Sequence, residues 1–126
     1  MSQINIKHIA NLNGESLRGL TFYEQELGFL QKRLDEIAGD NTGKEVSEKV
    51  EHFQNQLIIH REAIDELKHL IHANNKNIGS QLHGKDTFVN VGTADEHQQL
   101  NEKYLTEEKI FNDLRHGFNR FAAEWM

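Results

Sequence analysis

Residues 46–78 read VSEKVEHFQNQLIIHREAIDELKHLIHANNKNI. Within that stretch Val46, Val50, Phe53, Leu57, His60, Ile64, Leu67, Ile71, Asn74 and Ile78 recur at alternating spacings of four and three. A helix turns once per about 3.6 residues, so these positions form one stripe along its length. A stripe this long is the seam of a helix packed lengthwise against others. Two flanking stretches carry the same signature. One is Leu20, Tyr23, Leu27, Leu30, Leu34 and Ile37; the other runs from His97 through Leu100, Tyr104, Glu107, Phe111, Leu114, Phe118 and Phe121 to Trp125.

The spacing predicts an all-α, up-down-up antiparallel bundle of three long helices over about 16–38, 43–78 and 94–125. At 126 residues it should form one domain, spanning 1–126. Two boundaries have local chemistry. Gly39-Asp40-Asn41-Thr42-Gly43 is a cluster of turn formers, and Thr42 with Glu45 makes a capping box for the second helix. Thr93 with Glu96 repeats the box before the third. The start of the first helix is open. The stripe continues backwards through Ser16, Asn13, Ile9 and Ile6, but Asn11, Asn13 and Gly14 are poor helix formers. Alternatively an extra N-terminal element, Ile4-Asn5-Ile6, is extended and pairs with Phe88-Val89-Asn90-Val91.

Composition agrees with long, slender helices. The apolar fraction is 37%, and there are no prolines where average usage gives about six. The absence of cysteine excludes disulfides, thiolate nucleophiles and cysteine-ligated metals. The net charge is −6, and no basic run is longer than Lys32-Arg33, so the stripe of a nucleic-acid binder is missing. No continuous apolar run at the N-terminus marks a secretory leader, and none is long enough to span a bilayer. These features lead us to expect a cytoplasmic protein with no nucleic-acid or membrane partner.

Polar residues interrupt the seams. Aligning the second and third helices antiparallel sets Phe53 by Phe118, His60 by Phe111 and Asn74 by His97. Tyr23 then falls near His60, with Glu107 one turn away, about 5 Å along the axis. Tyr23, His60 and Glu107 are thus candidates for one buried ligand-binding network. Asn74 and His97 form a second polar core layer 14 residues away along the middle helix, about 21 Å.

Other chemistry finds little support. Glu66…His69 and Asp113…His116 have the Glu/Asp-x-x-His spacing of carboxylate-bridged metal sites, but both histidines fall about 150° or more from their seams. No serine sits in a glycine-framed elbow, and no glycine loop is followed by the Lys-Ser/Thr of a phosphate cradle. We expect no catalytic residues, metal or cofactor.

Phe22 and Phe29 lie one heptad apart and more than about 110° off the first seam. In an isolated bundle they form an exposed apolar strip unless a loop folds over them. The expected function is therefore a non-enzymatic interaction or structural bundle, a homodimer or partner of another protein through Phe22 and Phe29. The alternative is a small-molecule- or metal-binding bundle using a polar core layer.

Overall fold

A computed structural model describes residues 5–81 and 90–126. It contains three long helices: α1 (Ile6–Asp40), α2 (Lys44–Gln81) and α3 (Val91–Trp125). At 1.5 Å per residue each is more than about 50 Å long. Contacts between them set their directions. Along α1, Asn13, Glu24 and Gln31 meet Asn74, Lys68 and Gln54, so α1 and α2 are antiparallel. Asn13, Tyr23 and Glu26 meet His97, Glu108 and Arg115, so α1 and α3 are parallel. The result is an up-down-up bundle in which every helix packs on both others.

α1 starts ten residues before the expected Ser16. Ile6, Ile9, Asn13 and Ser16 are all buried, which continues the stripe of Leu20 to Ile37 without a break. Packing overrides the poor propensity of the Asn-rich turn. Asn5 is extended and caps the helix, its side chain accepting from the Lys7 amide at 2.8 Å. Of the expected strand pairing, Asn5 keeps a single β-bridge, but Ile6 and Val91 are the first residues of helices; Ile4, Phe88 and Val89 lie outside the described residues.

The other ends differ by a few residues for identifiable reasons. α1 runs through Gly39 to Asp40, leaving a break of only Asn41–Gly43. Asn41 is extended, and its amide group donates to the Ile37 carbonyl at 2.9 Å and the Trp125 carbonyl at 3.3 Å, tying the turn to the end of α3. Gly43, rather than Thr42, flanks α2, its carbonyl accepting from Ser47 N–H. Asn90, rather than Thr93, caps α3 by accepting from the Thr93 amide at 2.9 Å. The carboxylate of Glu96, an exposed residue, accepts from Asn74 at the edge of the bundle.

The seams pack as aligned. Phe53 meets Phe118 edge-on at 5.3 Å and stacks on Phe121 at 4.9 Å, forming the aromatic end of the bundle. Leu20, Leu27, Leu57, Ile64 and Phe111 fill the centre with no solvent exposure. A second, smaller apolar cluster of Ile6, Ile9, Ile78 and Ala94 closes the opposite end. Between the two clusters lies a polar layer.

Candidate functional site

That polar layer is larger than the sequence implies. Asn13, Asn74 and His97, one from each helix, are all buried. His97 Nδ1 lies 3.0 Å from Asn13 Oδ1, so His97 reaches α1 rather than bonding Asn74 directly. Asn13 Nδ2 donates to Asn74 Oδ1 at 2.9 Å and to Asn75 Oδ1 at 2.8 Å. Asn74 Nδ2 donates to Glu96 Oε1 at 2.7 Å and to the Thr93 carbonyl at 3.4 Å.

The layer has one consistent direction. A carboxylate only accepts, so Glu96 fixes the orientation of the Asn74 amide. Asn74 then presents its oxygen to Asn13, which turns the Asn13 oxygen toward His97. His97 must therefore carry a proton on Nδ1. Burial holds His97 below its ordinary value of 6.5, and nearby His8 pushes the same way. The missing member of the predicted layer was Asn13, and the backward continuation of the α1 stripe was the signal for it.

The second polar group divides. His60 and Glu107 come together: His60 Nδ1 is 2.5 Å from Glu107 Oε2, with the residues 3% and 9% exposed. Tyr23 does not join them. It stacks on Phe111 at 4.6 Å, and His60 meets the same ring edge-on at 5.9 Å. The Tyr23 hydroxyl donates to Glu108 Oε2 at 3.1 Å, one residue along from the predicted partner. Tyr104 donates to the same oxygen at 3.3 Å. Burial raises both phenols, and the Glu108 carboxylate adds to it. Two phenols sharing one carboxylate form a structural clamp between α1 and α3.

Gly19 makes that clamp possible. A Cβ at residue 19 would stand 2.1 Å from Tyr104 Oη and 2.9 Å from Cζ. The Tyr104 ring can lie against α1 because residue 19 has no side chain.

Phe22 and Phe29 stand on the outer face of α1, 47% and 64% exposed. Around Phe29, Glu26, Lys32, Arg33 and Glu36 of α1 and Arg115 of α3 line a shallow trough that also includes Met126. A separate groove of about 540 Å³ runs between α2 and α3, and Glu107 lines it.

His69 and His116 are exposed, as their helix angles require. Among the described residues no three histidine or acidic side chains gather where they could hold a metal ion. No described helix is long and apolar enough to cross a membrane. No protein-family model, curated protein or solved structure matches the chain.

Proposed function

We propose that this chain is a non-enzymatic helical-bundle interaction protein that pairs with a second copy of itself through the outer face of α1. The observation that carries this is the exposure of Phe22 and Phe29 in a bundle whose seams are already filled. Large rings one heptad apart on a wet face are a recurrent mark of an interface. The charges around Phe29 include both signs, so a two-fold contact can set Glu26 and Glu36 of one copy against Lys32 and Arg33 of the other.

The energetics set the extent of the contact. Each ring is already partly covered, so burying the remainder contributes about 1 kcal/mol, or ~4 kcal/mol for four rings. Association costs at least about 4 kcal/mol before any net affinity appears. The strip therefore needs the adjoining trough, with Ala123 and Met126, to complete a stable dimer. Sedimentation of the Phe22→Asp/Phe29→Asp variant tests this. A dimeric parent and a folded monomeric variant are expected; a variant that keeps the parent's oligomeric state removes the interface.

The alternative, a ligand-binding bundle built on a polar core layer, is favoured by a separate observation. Glu107, half of the buried pair, also lines a groove open to the outside.

A further inference from the structure

The groove between α2 and α3 combines apolar walls with a nearly buried carboxylate. Its apolar walls are Ala63, Leu67 and Leu70 from α2 and Ile110 from α3. Its volume, about 540 Å³, lies within the range of about 300–1,000 Å³ typical of small-molecule sites. Deep in it lies Glu107, nine-tenths buried. One carboxylate oxygen is held by His60 Nδ1. Among the described residues, nothing donates to the other oxygen.

A nearly buried carboxylate with one open oxygen retains much of its capacity to accept a charge-assisted hydrogen bond. The rim reinforces its sign. Glu66 and Glu102 line the groove too, and Lys103 is the one cation among the lining residues. The groove is thus greasy along its walls and negative at its base and edges. That excludes anions by repulsion and gives neutral hydrocarbons no use for the carboxylate.

We infer that this groove binds a hydrophobic primary ammonium. The ammonium donates to Glu107 Oε1, while the hydrocarbon lies along Ala63, Leu70 and Ile110. His60 is a positioning residue: its bond to Oε2 fixes the carboxylate so that Oε1 faces the entering cation. The inference does not depend on whether the α1 face dimerises, since the groove lies between the other two helices.

A matched series of hexylamine, hexan-1-ol and hexanoate tests it, followed by amide NMR shifts of the intact chain at neutral pH. Saturable shifts at residues 63, 70 and 110 are expected. Hexylamine should bind about tenfold tighter than hexan-1-ol, as a charge-assisted bond requires, and hexanoate should not bind. In Glu107→Gln, which retains an acceptor for His60, the preference for the amine should vanish. Ala63→Phe keeps the His60–Glu107 pair and fills the groove, so both amine and alcohol binding should be lost. This variant decides the matter if Glu107→Gln does not fold. Equal binding of amine and alcohol overturns the proposal. So does an amine preference that survives Glu107→Gln, which would place the cation on the rim glutamates. Absence of saturable binding at millimolar amine overturns it as well.

Discussion

Two glycines on α1 should respond to the same substitution with opposite signs. Gly28 is exposed, and a Cβ there would meet nothing within 4 Å. Gly28→Ala should therefore realise the full helix-propensity gain, about 1 kcal/mol. Gly19→Ala has the same intrinsic gain, but its Cβ would lie inside the Tyr104 ring edge. The ring must swing out. That breaks its hydrogen bond to Glu108, worth about 1 kcal/mol, and uncovers part of a half-buried aromatic side chain, worth about 1–2 kcal/mol more. The net effect is a loss of about 1–2 kcal/mol, so the two alanine variants should differ by about 2–3 kcal/mol. In thermal unfolding followed by circular dichroism, a chain of this size shifts about 3–5 °C per kcal/mol. Adding Tyr104→Ala should turn Gly19→Ala from destabilising to stabilising, a coupling a double-mutant cycle reads directly. If both glycine variants raise Tm equally, Tyr104 does not lie over Gly19, and the α1–α3 packing described above is wrong.

Two further outcomes follow from the polar layers. His60→Leu leaves Glu107 without its donor and should cost about 1–3 kcal/mol in urea denaturation, below the 3–5 typical of a fully buried pair because Glu107 reaches the groove. His60→Leu/Glu107→Leu should recover most of that loss; a double variant no more stable than the single one would contradict it. His97 titrates below 6.5 in the folded chain, so below that pH the unfolded chain binds the extra proton first. Its contribution is absent at pH well above 6.5 and turns against folding as pH falls through that value. His97→Gln should flatten this part of the stability profile between about pH 7.5 and 5.5, and an unchanged profile would refute the assignment.

The bundle was legible because a seam is a periodic property. Alternating three and four spacings determine which face of each helix is inward, and Phe53 against Phe118 or His60 against Phe111 follow from alignment alone. Partners beyond the seam were harder to read. Tyr23 was assigned to the neighbourhood of His60 and Glu107, yet bonds Glu108, because side-chain reach at a flanking position decides between two consecutive glutamates. Asn13 was ambiguous because local propensity at Asn11-Asn13-Gly14 argues against the helix that the long stripe demands. Its burial beside Asn74 resolves the conflict: the residue that weakens the turn supplies the link between helices. Asn90 rather than Thr93 caps α3, since several adjacent residues could cap and periodicity does not show that the Glu96 carboxylate bonds Asn74. The groove at Glu107 had no signature in the sequence, being made by the gap between two helices rather than by any motif.

The buried His60–Glu107 pair also acts on partially folded chains. Long heptad helices can slide past one another, and a slip of seven residues, about 10.5 Å, brings apolar side chains opposite apolar side chains again. In a chain with wholly apolar seams such misalignments would be nearly as stable as the native one and slow to escape. Here a slip of one heptad between α2 and α3 parts His60 from Glu107, setting His60 opposite Phe118 or Tyr104 and Glu107 opposite Ile71 or Leu57, with their mutual hydrogen bond unmade. Each misaligned state thus carries two buried polar defects. Polar residues that cost stability in the finished bundle leave the competing alignments shallow, so an early docking error is quickly undone.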